Sequence, residues 1–349
     1  MTVPHEAAPG DTGASRTPVS AARPAGLRGW AGRAVLGLLR ASLLVSPRPT
    51  VLLVRRQFAR GVVERTTRLD AQAPAGVAAV LDERYGPGAD EVLDVFHPDD
   101  ATGPLPTVVW THGGAFVGGT KDELRGWFRL LASHGVTVVA PRYTRAPEAR
   151  YPTPVRQVTA ALRHVQEHAA RFHVEPSRLV LAGDSAGAQI SAQVATLTTV
   201  PSYARTLGVA PTVHPAQLRG VLLCCGVFDL ARLDPRSPLR DVLRACGWAY
   251  SGDRRFLDDE AFLSSMSVGR HVTAAFPSTF VTVGNADPLR GQSVALAATL
   301  EGHGVDVETL FFPDAHTPAL PHEYQFEPGS ADADAALDRL VRFVRRCTA

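Results

Sequence analysis

The residues best suited to chemistry are Ser185, inside Gly183-Asp184-Ser185-Ala186-Gly187, the carboxylate of Asp287, and two later histidines, His316 and His322. A serine hydroxyl at its ordinary pKa is a weak nucleophile. It needs a base to take its proton and an acid to orient that base. The order serine, acid, histidine along the chain supplies those parts. A Gly-x-Ser-x-Gly pentapeptide recurs by chance, so its surroundings carry the weight. The apolar run 178–182 before it reads as a strand and 186–197 after it as a helix, the setting of a nucleophile elbow. So tight a turn needs small flanking residues, which Gly183 and Gly187 supply. The following helix aims its first amides where negative charge would develop.

That charge needs donors already in place. His112-Gly113-Gly114-Ala115 follows the apolar run 107–111, and two consecutive glycines let a backbone approach a ligand closely. The expected oxyanion donors are the N–H groups of Gly113, Gly114 and Ala186, with His112 holding the loop and Asp184 supporting the turn. Asp287 follows the run 278–283 on a short loop, where Pro288 suits a turn. Both His316 and His322 lie in the loop after the run 305–312, and their position alone leaves either as the base.

The elements that must hold these groups alternate. Strands are expected at 91–96, 107–111, 136–140, 178–182, 218–225, 278–283 and 305–312. Helices are expected at 154–172, 186–197, 293–302 and 333–346. Strands alternating with helices predict a mostly parallel central sheet flanked by helices. The domain reading is a flexible tail over 1–25, an N-terminal helical cap segment over 26–85, and a catalytic domain over 86–349. A second cap piece, about 229–276, interrupts the alternation.

The 349 residues are enough for one large domain with a lid. A formal charge of +2, from 36 basic and 34 acidic side chains, argues against a nucleic-acid partner. Lysine is scarce, which reads as coding bias. Cys224, Cys225, Cys246 and Cys347 show no metal spacing and read as buried small hydrophobes rather than a disulfide framework. Residues 1–25 lack the apolar core of a secretory signal, so a cytoplasmic location is expected. The stretch 30–45 is broken by Arg33 and Arg40 and is too short to span a bilayer. It reads as an amphipathic helix that packs on the protein or makes weak contact with a lipid surface. A homodimer is compatible with the sequence.

Four blocks together resemble the hormone-sensitive-lipase-like bacterial esterases of the α/β-hydrolase fold: His112-Gly113-Gly114-Ala115-Phe116; 141–148 (PRYTRAPE) with Tyr151-Pro152; Gly183–Gly187; and Asp287-Pro288-Leu289-Arg290. The resemblance runs from about residue 90 to the C-terminus. It implies a serine esterase acting on small-molecule esters through an acyl-enzyme, with no metal or organic cofactor. It makes Glu148 a supporting residue. It also favours His322 as the base, since 322–326 (HEYQF) is similar to the family's His-Gly-Phe, displaced by the insertion 314–321. Ala188 stands where the family often has a further glycine. Acyl transfer or cyclisation with the same residues is the alternative within enzymes. A non-catalytic ligand-binding member of the fold is the alternative outside them.

Overall fold

The computed structural model describes residues 45–232, 240–327 and 329–349. The expectations for the tail 1–25 and the segment 30–45 fall, apart from Val45, outside the described residues. Along the chain run α1 (Arg48–Ala71), β1 (Val77–Arg84), β2 (Val92–Pro98), β3 (Leu105–Thr111), α2 (Arg125–Ala132), β4 (Thr137–Pro141) and α3 (Thr153–Glu167). Then come β5 (Val174–Asp184), α4 (Ala186–Thr199), α5 (Pro201–Leu207), β6 (Leu218–Cys224), α6 (Arg240–Ser251) and α7 (Glu260–Met266). The chain closes with β7 (Thr279–Val283), α8 (Arg290–Gly302), β8 (Val307–Phe311) and α9 (Ala331–Thr348).

The strands form one eight-stranded sheet in the order β1-β2-β4-β3-β5-β6-β7-β8. β2 is antiparallel to both β1 and β4, and from β4 to β8 every pairing is parallel. The period of two explains why both faces are apolar. Val109, Leu181, Val221 and Leu223 enter one core, while Val108, Trp110, Val180 and Leu222 enter the other. Helices α3, α4 and α8 cover the first face, and α2 and α9 the second.

One expectation fails. Residues 77–84 (VAAVLDER) lie in the segment read as a helical cap over 26–85, yet they form β1, so the sheet begins before residue 86. Ala, Leu, Glu and Arg all favour helix, and pairing with β2 overrides that preference. The helix expected over 154–172 also stops at Glu167. The insertion 229–276 carries α6 and α7, and α6 packs against α1, so these two parts of the chain meet above the strand ends. Cys224, Cys225 and Cys246 are free and buried, as small hydrophobes would be.

Candidate active site

β5 runs into α4 through Ser185, whose backbone sits at φ 52° and ψ −118°. This left-handed conformation is rare for a residue with a side chain. The turn is held because Ser185 donates its N–H to the carbonyl of Cys224 at 2.8 Å. The flanking glycines are sterically required. A Cβ on Gly183 would lie 2.5 Å from the Gly187 carbonyl carbon, and one on Gly187 would lie 2.0 Å from the Thr111 carbonyl oxygen.

The hydroxyl of Ser185 lies 3.0 Å from Nε2 of His322, and Nδ1 of His322 lies 2.7 Å from Oδ2 of Asp287. The other carboxylate oxygen of Asp287 accepts the Leu289 N–H at 2.7 Å. One oxygen therefore fixes the turn after β7 while its partner orients the imidazole. The insertion 314–321 is anchored on Asn285, whose side chain accepts the Leu320 N–H at 2.8 Å and donates to the His316 carbonyl at 3.0 Å. That anchoring delivers His322 to the serine. His316 points elsewhere, with Nε2 3.0 Å from Asp332, and does not meet Ser185. Burial works against a charged His322, whereas the carboxylates of Asp287 and Glu323 favour it, and its pKa is held above the ordinary range. Ligand atoms of Cys225, Asp287 and His322 lie within 4.8 Å of one another. The last two are already joined to each other, and His322 to Ser185.

The loop 112–119 is shaped by Gly114 at φ 116°, and the Gly114 carbonyl accepts from Val117 and Gly118. His112 is fully enclosed, stacks on Tyr143 at 4.4 Å and bonds the Gly113 carbonyl through Nδ1 at 2.8 Å. Burial pushes its pKa down to about 4, so it is neutral and holds the loop. The three expected oxyanion donors do not all remain free. The Gly113 N–H donates to Oδ2 of Asp184 at 2.8 Å. The buried Asp184 carboxyl competes for that donor, a consequence of packing invisible in the motif. The Gly114 N–H has no acceptor among the described residues. As the first residue of α4, Ala186 has an N–H without an intrahelical partner.

Asp184 is enclosed and also accepts from Nε1 of Trp110 at 2.8 Å. Burial and the neighbouring Glu323 raise its pKa well above the usual carboxylate range. Glu323 is less deeply buried, with 17% of its side chain exposed, and the salt bridge to Arg65 of α1, at 2.6 Å, keeps it charged. Burial also raises Glu123 to about 7, against the opposing pull of Arg65.

A pocket of about 430 Å³ opens onto Ser185 and His322. Phe58, Val62, Leu124, Val242, Leu243 and Leu289 make it largely apolar, with Arg65 and Glu123 as polar groups. Its roof comes from α1 and α6. Glu148 does not reach the pocket. It pairs with Arg55 of α1, which also donates to the carbonyls of Val117 and Ala146 at 2.6 and 2.9 Å. Three residues escaped the sequence reading: Arg65, Glu323 and Lys121. Lys121 is fully buried, 2.6 Å from Asp94, 2.8 Å from Asp82 and 3.0 Å from Asp122. It is the only lysine in a chain with 36 basic residues, and that solitude was the available signal.

The chain matches a family described as alpha/beta hydrolase fold over residues 108–320. A protein of Mycobacterium tuberculosis, carboxylesterase NlhH, is 32% identical over 245 residues, covering 67% of this chain and 71% of that protein. Esterase LipI of the same organism is 31% identical over 215 residues, covering 60% and 64%. Among solved structures, esterase B from Lactobacillus rhamnosis superposes with a TM-score of 0.74 at 22% identity, over 86% of this chain and 96% of that one. Esterase LipW from Mycobacterium marinum gives 0.65 at 24% identity, over 85% and 90%. These two structural likenesses concern the fold.

Proposed function

Because this chain belongs to the α/β-hydrolase family, in the hormone-sensitive-lipase-like branch of bacterial esterases, and is a serine hydrolase of ester bonds, we propose that Ser185, His322 and Asp287 carry its chemistry on small carboxylic esters. The carrying observation is the hydrogen-bonded line from Ser185 Oγ through His322 to Asp287, at 3.0 and 2.7 Å, beside an apolar pocket.

The steps follow from that line. His322 Nε2 takes the Ser185 proton as Oγ attacks the ester carbonyl carbon. Asp287 holds the Nδ1 proton and stabilises the imidazolium. The tetrahedral oxyanion is met by the N–H groups of Gly114 and Ala186, with Gly113 held back by Asp184. His322 then passes its proton to the leaving alcohol, and the acyl group remains on Ser185. A water molecule, deprotonated by His322, attacks the acyl carbon, and Ser185 leaves as the protonated hydroxyl. None of these steps calls on a metal or an organic cofactor.

The test is turnover of p-nitrophenyl butyrate by the wild type and by Ser185→Ala. The variant is expected to lose roughly 10⁴-fold or more in kcat, because the groups act as a unit. Wild-type rates in a folded Ser185→Ala protein contradict the assignment.

A further inference from the structure

Glu323 is an odd residue for its position. It follows His322 directly, at φ 60° and ψ 31°, a left-handed backbone that favours glycine. Its side chain is also mostly enclosed, with 17% of it exposed. A short neutral residue would satisfy both constraints, so the carboxylate calls for another explanation.

Its contacts supply one. Arg65, on α1, donates to Oε2 of Glu323 at 2.6 Å. Glu323 is in hydrogen-bond contact with the carboxyl of Asp184. Asp184 accepts the Gly113 N–H and the Trp110 Nε1–H, both at 2.8 Å. A Cβ on Gly113 would lie 2.3 Å from Asp184 Oδ2 and 3.1 Å from Glu323 Oε1, so both carboxyls press on the loop. A single chain of polar contacts thus joins the pocket's roof helix, the residue after the base, the residue before the nucleophile, and the oxyanion loop.

We propose that Arg65 is a positioning residue: through Glu323 and Asp184 it fixes the His322 loop and the Gly113–Gly114 loop together, so that seating α1 and completing the site are one event. This rests on the Ser185 reading above.

The charge state of the chain is constrained. Two buried carboxyls in contact do not both ionise readily. Arg65 keeps Glu323 as the carboxylate, and Asp184 keeps the proton and donates it to Glu323. The groups facing the pair are Arg65 from α1, Glu123 from the turn before α2, Tyr143 after β4, Cys224 at the end of β6, Cys225 just beyond it, and His322. Burial keeps Tyr143 and Cys224 protonated to well above neutral pH. Loss of the Asp184 proton takes the pair from one negative charge to two, beside the site where an oxyanion must form. As Asp184 ionises, above the usual carboxylate range, the wild-type rate therefore falls on the alkaline side of the rise set by His322.

The test is kcat and KM across pH for wild type, Glu323→Gln, Arg65→Met and Arg65→Lys. Glu323→Gln is expected to lower kcat about tenfold with KM within about twofold, and to remove the alkaline fall because the pair no longer reaches two charges. Arg65→Met is expected to lower kcat similarly and move the alkaline fall to higher pH. Arg65→Lys should recover most of kcat. Should Glu323→Gln fold poorly, Glu323→Gly relieves the left-handed strain, and the same loss of kcat is expected from it. If Glu323→Gln or Glu323→Gly keeps wild-type kcat and the same alkaline fall, Glu323 is merely structural and the proposal is overturned. A wild type without ester turnover would instead defeat the Ser185 reading.

Discussion

At the scale of single residues, the proposed base carries the sharpest consequence. His322 reaches both Ser185 and Asp287, whereas His316 is paired with Asp332. Replacing His322 with alanine is expected to cost roughly 10⁴-fold in kcat, as for any member of a coupled triad. His316→Ala should stay within about twofold, and steady-state kinetics of the two variants side by side checks the difference. The base works only when neutral. Its imidazolium is held above the ordinary range, so kcat/KM should rise with pH through a midpoint above the usual 6.5. A rate profile flat from pH 5 to 8 speaks against His322 as the base. Ser185, Asp287 and the glycine pair were legible in the sequence because a tight turn, an acid after a strand and a flexible loop each demand particular residue types. The choice of His322 came from resemblance, because an eight-residue detour held by Asn285 leaves no local signature. The engagement of the Gly113 N–H was not legible either, since it depends on where the buried Asp184 points.

At the scale of elements, the loop 112–119 is gripped at both ends. Asp184 holds its start. Just past its end, Lys121 lies fully buried among Asp82, Asp94 and Asp122, and Arg125 adds a second cation 2.8 Å from Asp94. Removing one partner of a buried charge cluster leaves the others uncompensated. Lys121→Met is therefore expected to cost roughly 3–5 kcal/mol of stability. Urea unfolding measures it, and a loss below about 1 kcal/mol contradicts a supporting role for the cluster. Lys121→Arg should not restore the wild type, because a planar fork cannot sit where a compact ammonium meets three carboxylates. The strands of the sheet's centre were readable as apolar runs bounded by turns. β1 was not, because its residues prefer helix and only the neighbouring strand makes them extend. Arg55 and Arg65 gave no sequence signal, since α1 is rich in arginine and only the fold distinguishes those two from the rest.

At the scale of the whole molecule, the sheet carries the serine, acid and histidine on the loops after β5, β7 and β8, and α1 and α6 roof the space between them. The fold was legible because alternating strands and helices admit few arrangements. The roof was legible only as two segments breaking the pattern. How they meet, and hence the pocket's walls, is a matter of long-range packing. A pocket of about 430 Å³ lined by Phe58, Val62, Val242 and Leu243 suits small apolar acyl groups. Activity on p-nitrophenyl esters is expected to be greatest for butyryl to octanoyl chains and to fall sharply at palmitoyl, and a chain-length series of kcat/KM checks this. The account as a whole turns on one covalent bond. Purified protein treated with a fluorophosphonate and digested should show the added mass on the peptide containing Ser185, with no labelling of Ser185→Ala. An adduct on another residue, or equal labelling of the variant, would contradict it.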